Sequence, residues 1–432
     1  MWTRGFAAAD GCAKLFSLPH RFFQHCSAKD RMQAVLTKYR SRLGLILLAY
    51  IAFISLGLPD GLLGVAWPSI RANFGRPLDS LGMMLIASTT GYLTSSFASG
   101  RIIARLGVGK TLAFSCAATG LGLIGYTLAP AWWTMVALAV LAGLGAGAID
   151  AGLNTYVAAH FGEGLMQWLH ACFGIGVTLG PIIMTLGLTH FNSWRVGYAT
   201  VGTAQLALAT CFMLTLAMWK DGGDAAATER PRRLTDYKTP IPETLRQGAV
   251  WLSMLLFFIY TGIEATLGNW TYSLLTEARG IVPQQAGFWA GSYWATFTVG
   301  RTVAGLYARR VGVHTIVRTS LLAALCGALI LWWNPVEVAS LVGVGIIGLA
   351  IAPIFPALVS GTSARVSPRF AANTIGIQIG AAGLGAATLP GFAGFLARRT
   401  SLEVIPVYVL AAIVLLFGLY AVSLRREDTA AR

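Results

Sequence analysis

Three carboxylates, Asp60, Asp150 and Glu264, fall inside stretches of otherwise apolar residues, while the other 14 of the 17 acidic residues fall in polar segments. If those stretches cross a bilayer, each charged carboxylate costs about 2.5 to 3.5 kcal/mol, so the three must face the interior of a helix bundle or a wet cavity. A carboxyl removed from water holds a proton more readily, which makes the three candidates for proton coupling. The alternative is a buried carboxylate that bonds backbone or pairs with Arg301, the one basic residue placed within a span. Arg301 in turn could pair with Glu264, bind an anionic group, or snorkel to a membrane face.

Uncharged polar residues accompany the acids. Asn154 lies four residues after Asp150 on one helical face, with Gly143 and Gly147 on the same stripe. Small residues there let a helix or a substrate approach closely, and a carboxylate beside an amide makes a clamp for hydroxyl groups. Gln167, His170, Asn373 and Gln378 add donors and acceptors, and Asn269, Trp270, Tyr293 and Trp294 add an amide and flat faces that can stack on a sugar ring. Each has a structural alternative: an amide or imidazole can tie two helices, and aromatics near helix ends anchor at the interface. The latter is the expectation for Trp67, Trp132, Trp133, Trp332 and Trp333.

The elements that must position these residues follow from composition. Of 432 residues, 56% are hydrophobic and only 11% charged, against about 25% charged in a soluble protein, which excludes an ordinary water-soluble enzyme. Twelve apolar segments, at 43–66, 80–100, 111–129, 131–158, 165–190, 194–219, 248–274, 285–307, 313–333, 336–360, 370–396 and 402–424, are each long enough to span as a helix. The predicted fold is therefore an all-α integral membrane protein. Its predicted parts are a basic, disordered extension (1–42), six helices (43–219), a linker (220–246), six more helices (247–424) and a tail (425–432). Residues 1–31 are expected either to be disordered or to precede the true start at Met32.

With the N-terminus inside, Lys and Arg number 25 on the inner side and 6 on the outer. That bias places both termini and the linker in the cytoplasm, and it accounts for the net charge of +15 without a nucleic-acid partner. The six cysteines form no metal or disulfide pattern, and Gly120-Leu-Gly-Leu-Ile-Gly125 lies within a span rather than after a strand. No metal or other cofactor is expected. The Pro353-Ile-Phe-Pro356 pair should break its helix, as a hinge or a static kink.

The two sets of six helices repeat one another. Gly100-Arg101-Ile-Ile-Ala-Arg105-Leu-Gly107 matches Gly305-Leu-Tyr-Ala-Arg-Arg310-Val-Gly312 at an offset of 205 residues. Asp60 and Gly64 match Glu264 and Gly268 at 204, and Gly174-x-Gly176-x4-Pro181 matches Gly383-x-Gly385-x4-Pro390 at 209. Parallel repeats of this kind are how many transporters are built.

Twelve spans with a Gly-x4-Arg-x-Gly loop after helices 2 and 8 resemble the major facilitator superfamily, although both loops lack its usual acidic residue. Within it, Leu58-Pro-Asp60-Gly and Gly145-Ala-Gly-Ala-Ile-Asp150-Ala-Gly-Leu-Asn154 resemble the bacterial L-fucose–proton symporters and related sugar permeases. The resemblance implies two pseudo-symmetric six-helix bundles rocking about a central site, with Gly100, Arg101, Arg105, Gly107, Gly305, Arg310 and Gly312 in gating loops. The expected function is proton-coupled uptake of a neutral sugar or polyol by a monomer in the inner membrane, its partners being protons, the small-molecule substrate and the lipid bilayer. The alternatives are a proton-driven exporter of drugs or metabolites, towards which Gly176-x3-Gly180-Pro181 leans, and a membrane sensor or scaffold that transports nothing.

Overall fold

In a computed structural model, residues 28–160, 163–219, 239–307 and 310–431 are described. They form long helices, with no strand among them. In chain order these are α1 (Ala28–Asn73), α2 (Leu81–Leu106), α3 (Val108–Leu128), α4 (Trp132–His160), α5 (Glu163–Phe191) and α6 (Trp194–Leu214). After the linker come α7 (Gly248–Ser273), α8 (Pro283–Tyr307), α9 (Val313–Trp333), α10 (Glu337–Ile351), α11 (Pro368–Arg399) and α12 (Val404–Ala431).

Among the described residues, ten segments are long and apolar enough to cross a membrane. The other two helices, α2 and α8, have 26 and 25 residues. At about 1.5 Å per residue that length suffices for a crossing, and their lower hydropathy comes from hydroxyl side chains and from Arg101, Arg105 and Arg301. α1 starts at Ala28, so helix extends back into the segment expected to be disordered, and α12 runs on to Ala431 through the expected tail. Residues 1–27 and 220–238 of the predicted extension and linker lie outside the described residues. α10 stops at Ile351 and resumes as short helices Ile354–Ser360 and Thr362–Val366, a break that Pro353 enforces by lacking an amide hydrogen.

Ala49–Arg432 form one compact unit, and the residues before Ala49 a separate one. Inside the larger unit, packing partners recur six helices later. α2 packs on α4, α3 on α4 and α6, and α5 on α6; likewise α8 packs on α10, α9 on α10 and α12, and α11 on α12. Glycine makes the closest of these contacts. In lipid there is no hydrophobic drive between helices, so association rests on close van der Waals approach. Gly176 of α5 abuts the Ile54 carbonyl of α1, and Gly385 of α11 abuts the Phe258 carbonyl of α7. Those glycines are 209 residues apart and their partners 204, the same offsets that align the two halves in sequence. The repeat is thus a repeat of helix crossings as well as of letters.

Crossings that join the halves include α2 with α11, α5 with α8, and α1 with α7, where Gly64 abuts the Gly268 carbonyl. α2 and α11 are close at one end only, whereas α5 and α8 stay in contact past mid-span, where Gly174 abuts Thr298. A Cβ on Gly82, at the start of α2, would meet Gly391 near the end of α11 at 2.9 Å, and Gly287 of α8 abuts Thr185 of α5. At the far ends of α2 and α11, a Cβ on Gly100, Gly376 or Gly380 would meet no other part of the fold within 4 Å. Charged side chains tie the closed end, Arg71 to Glu277 and Arg398 to Asp79, the latter at 3.5 Å. The α2–α11 seam therefore opens toward the end that carries the α2–α3 connection.

Tryptophan placement departs from expectation. Trp133, Trp332 and Trp333 are exposed near helix ends, but Trp67 and Trp132 are fully buried and pack on each other at 5.9 Å. Their position in sequence looked interfacial because a helix end is near; the Phe74 ring closing over Trp132 puts them in the core.

Candidate functional site

Asp60 follows Pro59 within α1. A proline has no amide hydrogen, so the carbonyl four residues back loses its helical donor. That carbonyl is Ser55's, and Gln205 of α6 donates to it at 2.9 Å from a completely buried position. The helix is thereby kept whole beside the acid. Asp60 itself is solvent-accessible although Leu58 and Leu62 on either side are buried. It is close enough to Glu264 and Asp150 to feel both charges, so it faces inward where α1, α4 and α7 converge.

Asp150 is held, in contrast. It accepts a short hydrogen bond from the Tyr92 hydroxyl and another, at 2.8 Å, from Asn154 Nδ2. The sequence stripe of small residues explains how Tyr92 reaches it: Gly143 abuts the Ser88 carbonyl and Gly147 the Tyr92 carbonyl, which draws α2 onto α4. His170 of α5, exposed and edge-on to Phe53 at 5.7 Å, feels the charges of Asp150 and Arg301.

Glu264 of α7 is half-buried, and no hydrogen bond to its carboxylate with ordinary geometry is made among the described residues. The Tyr260 hydroxyl, one turn earlier, stands beside both Glu264 and Arg301 without a well-aligned bond to either. Arg301 joins none of the ion pairs among the described residues; its guanidinium lies 4.5 Å from the Phe297 ring centre. Pairing with Glu264, one of the three readings open for Arg301, is therefore not made in this state.

Asp60, Asp150, Asn154, Glu264 and His170 thus come together. Other candidates lie in packing contacts. Trp270 is fully buried and donates to the Pro390 carbonyl at 2.9 Å, tying α7 to α11. The Tyr293 hydroxyl donates to the Glu264 carbonyl at 3.0 Å, Trp294 packs on Gly268, and Asn269 donates to the Ala265 carbonyl at 2.8 Å. Gln378 is buried against Ser253 and Thr362. Asn373 binds the linker end, donating to the Thr239 carbonyl at 2.8 Å and to Thr244 Oγ1 at 3.0 Å. The Gln167 side chain lies outside the described residues.

Of the residues expected in gating loops, Gly100, Arg101 and Arg105 lie in the last turns of α2, which runs on past its apolar segment, and Gly305 in the last turn of α8, while Arg310 and Gly312 lie in the connection after α8; all six are exposed. Gly107 has φ +78° and ψ 163°, a conformation that strongly favours glycine, whereas Gly312 has φ −62° and ψ 148°, which any residue adopts. Tyr92, Tyr260 and Gln205 were not singled out by sequence. The signal available was position: each is a polar side chain at mid-span rather than at a helix end. Among the described residues, no group of three or more His, Cys, Asp or Glu is arranged to hold a metal ion.

In sequence and in fold the chain is similar to known proteins. The chain is 23% identical over 394 residues to the glucose/mannose transporter GlcP of Bacillus subtilis, covering 89% of this chain and 96% of the relative. It is 24% identical over 351 residues to human sodium-dependent glucose transporter 1, covering 72% of this chain and 65% of the relative's longer one. Among solved structures, a bacterial homologue of the human lysosomal transporter Spinster, inward-facing and occupied, superposes with a TM-score of 0.71 at 13% identity, covering 89% of this chain and 97% of that one. A D-xylose–proton symporter gives 0.67 at 13%, covering 87% and 97%. The model of the Major Facilitator Superfamily matches residues 49–276 and 252–432. With both halves matched and the same helix crossings in each, the chain belongs to the Major Facilitator Superfamily of membrane transporters.

Proposed function

We propose that the protein is a proton-coupled symporter that takes up a neutral sugar or polyol by alternating access. The carrying observation is the accessible mid-span Asp60, flanked by the charges of Asp150 and Glu264. Three carboxylates at one level repel one another, and binding a proton relieves that repulsion. Asp60, unbonded and accessible, is the proton carrier in this reading. Asp150, oriented by Tyr92 and Asn154, presents oxygens to substrate hydroxyls, and Glu264 is a further coupling or binding group. The sugar assignment is supported by the relatives named for glucose and mannose transport.

Two bundles, 43–219 and 247–424, rock about this site, with the α2–α11 and α5–α8 crossings as the contacts that open and close. The protein acts as a monomer in the inner membrane with both termini cytoplasmic, in keeping with the 25-to-6 distribution of basic residues. The open end then faces the cytoplasm. Inward movement of one charge is worth about 2.3 kcal/mol per 100 mV, enough for roughly a 50-fold gradient.

The test is uptake of labelled neutral hexoses and polyols by reconstituted vesicles under an imposed pH gradient, with a sodium gradient as the parallel arm. Wild type should accumulate its sugar with the proton gradient alone, and Asp60→Asn should equilibrate it without accumulation. Undiminished accumulation by both Asp60→Asn and Asp150→Asn would overturn the coupling assignment. Uptake driven only by sodium would replace the proton, and efflux without uptake would make the protein an exporter.

A further inference from the structure

Arg301 and Glu264 carry opposite charges, act on each other electrostatically, and yet stay beyond ion-pair distance. Neither makes a hydrogen bond of ordinary geometry with a described residue; Arg301 Nε has no partner, and the Tyr260 hydroxyl stands beside both groups without a well-aligned bond to either. An ion held unpaired in the core of a membrane protein is costly, and simple closure of the pair would relieve it. Closure is opposed by the seat of each group: the Arg301 guanidinium rests on the Phe297 ring, and Glu264 lies on α7, whose backbone at that residue is pinned by Tyr293. Both residues are half-buried.

We infer that the gap between Arg301 and Glu264 is a binding subsite for one hydroxyl group of a neutral polyol, which accepts from the guanidinium and donates to the carboxylate. This rests on the sugar reading above and narrows it. Only a group that both donates and accepts satisfies the two sides together. A carboxylate in the gap would be repelled by Glu264 and an ammonium by Arg301, so the subsite selects neutral sugars over sugar acids and amino sugars. It also assigns Arg301 a role in recognition through its own contact with substrate.

The experiment measures binding by the purified full-length protein of the best-bound member of a panel of neutral aldohexoses, then of its monodeoxy, uronate and amino derivatives. A hydrogen bond to a charged group corresponds to about ten- to hundredfold in affinity. Wild type should lose that factor for one deoxy position and for the charged derivatives. Arg301→Gln should bind the parent sugar more weakly by a similar factor and lose its sensitivity to that same deoxy position. Its thermal midpoint without sugar should be unchanged or raised, since an unpaired ion has been removed. If the deoxy effects add to Arg301→Gln at every position, or if the midpoint falls and all analogues weaken equally, Arg301 is structural and the inference fails. If no neutral sugar binds wild type, the sugar reading itself falls, and the inference with it.

Discussion

Asp60 and Asp150 are the same residue type on two neighbouring helices, but their surroundings give them different capacities. Asp150 has two donors fixed on it, from Tyr92 and Asn154, whereas Asp60 has none among the described residues. A bonded carboxylate is positioned, and a free one is available. Tyr92→Phe removes one donor of the charge-assisted kind, so substrate affinity should fall by about tenfold, read as a raised KM with proton-driven accumulation retained. Gln205 is a structural counterpart, supplying the carbonyl that Pro59 leaves unpaired. Gln205→Leu buries that carbonyl without a donor and should cost about 1–3 kcal/mol, seen as a lower thermal midpoint. An unchanged midpoint would show that the Ser55 carbonyl finds another donor.

At the scale of elements, the repeated loops after α2 and α8 look alike in sequence and differ in backbone. Gly107 caps α2 at φ +78°, whereas Gly312 sits at φ −62°. Gly107→Ala should cost about 1–3 kcal/mol, and Gly312→Ala should be neutral within about 0.5 kcal/mol; thermal unfolding of the two variants side by side checks this. Equal effects would mean that the α2 cap relaxes. The helix crossings are better conserved between the halves than the loops are. The Gly176–Ile54 and Gly385–Phe258 contacts occupy matching positions because backbone approach in a bundle admits no side chain at that point, while an exposed loop admits many conformations.

For the whole molecule, the relevant contacts are the two ion pairs at the closed end, Arg71–Glu277 and Asp79–Arg398. Each joins one half to the other, so each favours the state closed at that end. Partly exposed pairs contribute only about 0.2–1 kcal/mol apiece. The variant Glu277→Gln with Asp79→Asn should therefore shift the balance of states by a few-fold rather than lock it open. Spin-label distances across that end should show a larger population of the longer distance, and the same distribution as wild type would remove these pairs from the conformational balance.

The sequence by itself determined the number of spans, their order, the repeat and the presence of three acids among them. These are properties of local composition and spacing, since a helix of sufficient apolar length will cross wherever it occurs. It also contained Asp150 and Asn154 at a spacing that puts them on one face. It could not show that Tyr92, 58 residues away, completes that group, or that Asn373 and Gln378 tie helices and the linker while Trp67 and Trp132 fill the core. Nor could it show that Arg301 and Glu264 stay unpaired in this state. Such outcomes depend on how far each helix is rotated about its axis and where it crosses its neighbours. Those variables are set by glycine contacts and hydrogen bonds between residues remote in the chain, so only the tertiary structure decided them.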